Sequence, residues 1–401
     1  MSPARHLAPP PWLANPPVRA VYDAIGDGRF VGGAVRDLLL GRPIGDLDLA
    51  TPLPPDAVMA RLERAGVRYV PTGLAHGTVT ALAGHQPIEI TSLRRDVETD
   101  GRHAIVAYTD DWAEDAARRD FTMNALYLDG AGALWDPVGG IEDCLAGRVR
   151  FVGDAWRRID EDVLRLLRFY RFLAYYGREP AEDDARAACR DRAPKLHTLA
   201  GERISAELKK LLAAPYPVPA ILMMIEDGVL REILPEPVEP ERLAGLIQLE
   251  PSPDPIRRLA ALLPKGDATT LATRLRLSVK ERERLLDLTG RLEAPAFDAD
   301  ERTQRRALYR LGRERYCDLV LLAAAAQRTV PRALLTLARN WEDPALPVTG
   351  TDAVALGMPS GERIGELLRT VEAWWIEGDF RAGRPECLDR LNDLADSSRS
   401  H

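Results

Sequence analysis

The sequence is poor in the residues that usually announce a metal cage or a disulfide scaffold. Its 401 residues include four cysteines, Cys144, Cys189, Cys317 and Cys387, with no Cys-x-x-Cys spacing. That argues against a thiolate metal site or a disulfide framework and for a reducing cytoplasm. Histidines number six, His6, His76, His85, His103, His197 and His401, and none stands in a His-Asp pair. A phosphohydrolase centre built on such pairs is therefore not expected. No run of about 18 apolar residues exists, so no membrane span is expected. The start, "MSPARHLAPPPWLANPP", lacks an apolar signal segment, and residues 1–28 read as a lead-in made of an irregular start and one helix. An excess of positive charge is missing too: the net charge is -7. A nucleic-acid partner stays open, because a local patch matters more than the sum. Between Arg148 and Arg178 eight arginines face only four acids.

What is present is an ordinary globular composition, with 46% hydrophobic and 29% charged residues. The texture changes once. From Arg29 to about Asp129, short strand-like runs such as "RFVGG", "LDLAT", "GTVTAL" and "PIEITSL" alternate with helical segments. One sheet with helices packed on it is expected there. The charged stretch 94–117 has little periodicity and reads as a loop. "DPVGG" at 136–140 punctuates the chain. Beyond about residue 145 the pattern is helical almost throughout. It opens with "DEDVLRLLRFYRFLAYYG", read as one long amphipathic helix that ends at Gly177.

The chemistry concentrates in "FVGGAVRDLLLGRPIGDLDLAT". Asp46 and Asp48 flank Leu47, and in a strand residues i and i+2 share a face. Both carboxylates then sit together, with Leu47 and Leu49 toward the core. Bare carboxylates so placed repel, and Mg²⁺, which favours hard oxygen ligands, relieves the repulsion. Glu89, between Ile88 and Ile90, is the candidate third acid from a neighbouring strand. Three such acids suit a two-metal site for phosphoryl chemistry. Upstream, Gly32 and Gly33 allow close backbone approach to a ligand. A helix starting near Ala34 would aim its amides at that spot. Arg36 in its first turn is oddly placed for the helix dipole unless it meets an anion. Further on, Asp162 and Arg165 lie three apart on the long helix and so on one face. Their acceptors and donors can pair with cytosine or adenine but not with guanine or uracil. Leu164, Leu167, Phe172 and Tyr170 read as core.

These segments, in order, resemble the motifs of the class II tRNA nucleotidyltransferases, the CCA-adding enzymes, which share a head with bacterial poly(A) polymerases. "GGAVRDLLLGRPIGDLDLAT" resembles the first motif, "RRDFTMNAL" the second, "DPVGGIED" the hinge motif, "EDVLRLLRFYRFLA" the neck motif, and "ERISAELKKLL" with "EDGVLREILPE" the next neck segment. The resemblance implies an α+β fold with a polymerase-β-like head at 29–145. It implies an all-helical neck at 146–235 and a helical body and tail at 236–401. It implies Asp46, Asp48 and Glu89 as catalytic carboxylates, with Asp46 and Asp48 as Mg²⁺ ligands. Gly33 and Arg36 would contact the triphosphate. Arg119, Asp120 and Asn124 would contact and orient the nucleotide, Asp162 and Arg165 would read the base, and Arg168 and Arg171 would complete the pocket. The implied partners are CTP, ATP and a tRNA 3′ end. A poly(A) polymerase, a partial CC- or A-adding enzyme and a catalytically silent RNA-binding protein are the alternatives. The arginine-rich run usual in the poly(A) type is missing, and 94–117 is the segment expected to separate the partial adders. "TRLRLSVKERER" and "ERTQRRALYRLGRERY" are candidate tRNA contacts in the tail.

Overall fold

Alternating apolar and polar residues in the first third of the chain produce strands, and Gly-rich or Pro-led punctuation separates them from short helices. The computed structural model describes residues 2–99, 104–178, 180–234, 237–358 and 362–399. The strands are β1 (Arg5–His6), β2 (Arg29–Val31), β3 (Leu47–Thr51), β4 (Tyr69–Gly73), β5 (Thr78–Ala83), β6 (Gln86–Ser92), β7 (Arg94–Thr99), β8 (Ala104–Tyr108), β9 (Tyr127–Leu128) and β10 (Ala133–Trp135). Eight of them form one mixed sheet in the order β1-β10-β9-β2-β3-β6-β5-β4. Among the described residues only the β3–β6 pair is parallel, and that pair carries Asp48 and Glu89.

Helices α1 (Pro16–Ile25), α2 (Gly33–Leu39), α3 (Pro55–Arg64) and α4 (Trp112–Ala117) belong to this part of the chain. Leu47, Leu49, Ile88 and Ile90 are essentially fully buried. They lie on the face of the sheet opposite Asp48 and Glu89, as the alternation predicts. α1 and α3 pack on the sheet through β5 and β6. Val31, Ala50 and Tyr127 instead join a second cluster with Ala116, Trp135 and Val152, against which Trp112 packs. The helix α4 is thereby fixed on the face that carries the acids.

The helices α5 (Gly140–Ala146), α6 (Ala155–Glu161), α7 (Leu164–Tyr176), α8 (Asp183–Arg192), α9 (Gly201–Ala213) and α10 (Pro217–Glu226) follow. α7 packs against α9 and α10, and α6 against α8. Tyr170 is buried, as expected, and its hydroxyl donates to Asp227 at 2.8 Å. The sheet and these helices form one compact unit, Met1–Glu236 with Arg274–Arg276. The second unit, Pro237–Thr273 with Leu277–His401, is helical in its described residues. A buried ionic network holds part of it, in which Asp318 accepts from Arg257 at 2.9 Å and from Arg284 at 2.7 Å.

Two expectations need correction. The stretch 94–117 is not a plain loop: its described residues form the β7–β8 ribbon and α4, while 100–103 lie outside the described residues. The run from Asp160 to Tyr176 is not one helix. Asp162 is extended (φ -152°, ψ 106°), and its carboxylate accepts from the Leu164 amide at 3.1 Å, an Asx-type turn just ahead of α7. A short acid that can bond its own backbone has ended one helix and started the next. The "DPVGG" stretch leads directly into α5. Both Asp136 oxygens take amides of α5, at 2.7 and 2.9 Å, and a Cβ on Gly140 would collide with the Thr122 carbonyl.

Candidate active site

Strand register brings the acids together. Tyr127 pairs with Val31, Val31 with Asp48, Asp48 with Glu89, and Glu89 with Thr80. Residues directly opposite one another across a sheet share a face. One row therefore carries a tyrosine and two carboxylates on the same side. Asp46 precedes β3 and is exposed. Burial, then the Glu89 charge, with Asp46 adding, pushes the Asp48 carboxyl up to about 6, although Arg119 acts the other way. Electrostatic crowding of this kind is what a cation relieves. Among the described residues no three carboxylate, imidazole or thiol groups converge as a ready-made cage. An open set of hard oxygens still fits Mg²⁺, which keeps several waters and is commonly held by one or two carboxylates plus substrate phosphates.

The glycine turn lies over this row. Gly32 adopts φ +71°, and a Cβ there would sit 3.5 Å from Asp48 Oδ2. The positive φ calls for glycine, while a Cβ there would make only an ordinary contact with Asp48. Gly33 opens α2, and Gly41, at φ +63°, follows its end. Arg36 departs from expectation. α2 has only seven residues, so Arg36 lies at its centre and the dipole argument lapses. Its side chain is 9% exposed and holds Asp37 at 3.0 Å and Asn124 Oδ1 at 2.7 Å. Its guanidinium also lies 4.2 Å from the Tyr176 ring centre. Arg36 braces the turn from within rather than offering a free cation.

The second motif is joined to α7 by a chain of hydrogen bonds. Asn124 Nδ2 donates to Asp120 Oδ1 at 3.0 Å, and Arg168 donates to Asp120 Oδ2 at 2.8 Å. Arg36, Asn124, Asp120 and Arg168 thus form one continuous chain. Asp120 stays ionised because Arg168 and Asn124 outweigh its burial and lower its pKa. Arg171 meets Glu207 at 2.7 Å, at an angle that makes no hydrogen bond. Burial, opposed by Glu207, lowers its pKa.

Asp162 and Arg165 are not paired on one helical face. Asp162 holds Arg203 at 2.9 Å, both partly exposed. Arg165 donates to Glu161 at 2.6 Å and to the carbonyls of Arg158 and Arg118 at 3.1 and 3.0 Å. The break at Asp162 explains the difference. The basic patch is also less free than its count suggests. Arg148 and Arg150 share Asp143, and Arg158 and Arg165 share Glu161.

Two buried polar residues beside the row of acids, Asp115 and Tyr127, are not singled out by the sequence reading. Asp115 is 1% exposed. Its Oδ1 accepts from Arg118 at 2.6 Å, and its Oδ2 accepts from Arg119 at 2.9 Å and from the Tyr127 hydroxyl at 2.8 Å. Burial alone would raise this carboxyl, but the two arginines and the tyrosine hydroxyl outweigh it and hold it at about 2. A signal for Asp115 does exist: an acid three and four residues before two arginines on a helical stretch.

Two family models match the chain, "Poly A polymerase head domain" over residues 28–150 and "Probable RNA and SrmB- binding site of polymerase A" over 181–239. The mitochondrial CCA tRNA nucleotidyltransferase 1 of Danio rerio is 36% identical over 381 residues, covering 91% of this chain and 86% of that one. The CCA-adding enzyme of Geobacillus thermodenitrificans is 42% identical over 202 residues, about half of each chain. Among solved structures, the CCA-adding enzyme of Bacillus stearothermophilus in complex with CTP superposes with a TM-score of 0.79 at 27% identity, covering 97% and 99% of the two chains.

Proposed function

The chain belongs to the CCA tRNA nucleotidyltransferase family, and from that premise we propose that it builds the CCA end of tRNA from CTP and ATP on the Asp48–Glu89 face of its sheet. The observation that carries the assignment of the site is the register of β3 on β6. It sets Asp48 against Glu89 under the glycine turn, with the Asp48 carboxyl raised by burial and then by Glu89. Asp46 and Asp48, with Glu89 beside them, would hold Mg²⁺. When bound, the metal lowers the pKa of the attacking 3′ hydroxyl and neutralises the triphosphate and its leaving group.

The remaining work falls to the chain's own side chains. Gly33 lets the triphosphate approach the start of α2, and Arg36 keeps that turn in place. Arg119 faces the acids. Asp120 and Asn124 orient the ribose, and Arg168 holds Asp120 while Arg171 lines the same helix. Asp162 and Arg165 read the base. Arg165 is pre-set by Glu161 and two carbonyls, which lowers the ordering cost of a base contact. Asp162 must exchange Arg203 for the amino group of cytosine or adenine. An exposed pair of that kind is worth only about 0–1 kcal/mol, so the exchange is easy. Guanine and uracil present a carbonyl to Asp162, and each unsatisfied group costs roughly 1–3 kcal/mol. We place the head at 29–145, the neck at 146–235 and the tRNA-binding body and tail at 236–401. No helix among the described residues is long and apolar enough to cross a membrane. The free cysteines suit a reducing compartment, and we assign the cytoplasm.

The test is incorporation on tRNA transcripts ending before CCA, after C and after CC, with labelled CTP and ATP, in Mg²⁺ and in chelator. Two C and one A added in order, then a stop, is the expected result. An extended A tail, or only CC or only A, would reassign the enzyme within its family.

A further inference from the structure

We propose that Asp115 is a positioning residue for nucleotide transfer, one that fixes Arg119 beside the catalytic acids and anchors the segment against which Arg165 rests. The inference rests on the function proposed above. Asp115 lies midway along the short helix α4 and is all but inaccessible. One oxygen takes the Arg118 fork, through Nε at 2.9 Å and Nη2 at 2.6 Å. The other takes the Arg119 fork, at 3.1 and 2.9 Å, and the Tyr127 hydroxyl at 2.8 Å. Arg119 Nε reaches Tyr127 as well, at 3.2 Å. Five N–H or O–H groups thus converge on one carboxylate, leaving little freedom to either arginine.

The clamp is tied to the acids by register. Tyr127 stands in the strand row that runs through Val31 to Asp48 and Glu89. Trp112, from the same helix as Asp115, packs edge-on to the Tyr127 ring at 5.2 Å. The clamp also reaches the base-reading side. The Arg118 carbonyl, one residue from Arg119, accepts from Arg165 Nη2 at 3.0 Å. A single buried carboxylate therefore holds two adjacent residues, one facing the acids and one supporting the base reader. A merely structural role, neutralising two arginines, would not require the effect of Asp115 on catalysis to pass through Arg119.

The experiment is a kinetic double-mutant cycle on the full chain. It uses tRNA ending after C, CTP and Mg²⁺, with tRNA affinity and thermal melting measured in parallel. Asp115→Asn is expected to lower kcat by about tenfold or more at unchanged tRNA affinity, the mark of an interaction made in the transition state. Tyr127→Phe, which keeps the charge balance, is expected to lower kcat by about threefold. In an Arg119→Ala background both effects should shrink to within about twofold. Should Asp115→Asn not melt as a folded protein, the Tyr127→Phe cycle decides the matter. An active wild type with both variants within about twofold of it, or losses that persist undiminished without Arg119, would overturn the inference. A wild type that incorporates nothing would overturn the function itself and this inference with it, which is a different pattern.

Discussion

Asp48 stores the electrostatic tension of the site in one side chain. Its folded-state pKa, about 6, lies above the ordinary 3.8, first through burial and then through Glu89. A carboxyl raised in this way favours the folded state while protonated. Its contribution is complete below about pH 4 and is lost as pH rises through about 6. That gap corresponds to at most about 3 kcal/mol. Asp48→Asn should therefore melt like wild type near pH 4 and above it from pH 7 in chelator, while losing nucleotide transfer. Melting curves across pH check this, and a variant less stable than wild type at pH 8 would contradict it. At the base-reading end, Arg165→Ala should relax the choice among nucleotides more than it weakens tRNA binding. Competition among the four nucleoside triphosphates measures it, and full selectivity in the variant would sink the idea that side chains act as template.

At the scale of elements, the sequence is informative wherever period and punctuation agree. Leu47 and Leu49 flank Asp48, so the two faces of β3 are legible in the residue order, while the place of Asp46 just before the strand is not. Gly32 and Gly33 mark the turn, and Gly32 adopts the positive φ that glycine allows. Pairing at a distance is what the residue order hides. Nothing local says that Asp48 stands opposite Glu89, or that Asn124 links Arg36 to Asp120. The break at Asp162 is hidden because the apolar periodicity of α7 resumes directly after it, while the turn is made by a local bond from the Leu164 amide to the Asp162 carboxylate. The turn itself is open to test. Gly32→Ala places a side chain at φ +71° facing Asp48, at a strain of about 1–2 kcal/mol. It should lower kcat/KM for CTP while tRNA affinity holds. Steady-state kinetics with a binding titration separate the two, and equal losses in both would argue against a triphosphate-binding turn.

For the whole molecule, charge is arranged more by pairing than by sum. The net charge is -7, yet many arginines of the first unit sit in ion pairs around the site. The tail shows why counting arginines misleads. Arg306 donates to the Ile376 and Glu377 carbonyls at 3.1 and 2.5 Å, and Arg305 holds Asp379 at 2.6 Å. These side chains close the end of the helix Glu362–Glu377. Arg306→Ala should cost about 1–3 kcal/mol of stability in a denaturant titration and leave tRNA affinity almost unchanged. The central claim is that the Asp48–Glu89 face performs the transfer for the entire chain. Its most direct test is single-turnover addition of C to a bound tRNA, followed across a Mg²⁺ titration for wild type and Asp48→Asn. The account predicts saturating Mg²⁺ dependence in wild type and no addition in the variant at any Mg²⁺ concentration, with tRNA bound equally by both. Addition by Asp48→Asn at a rate near wild type would contradict it.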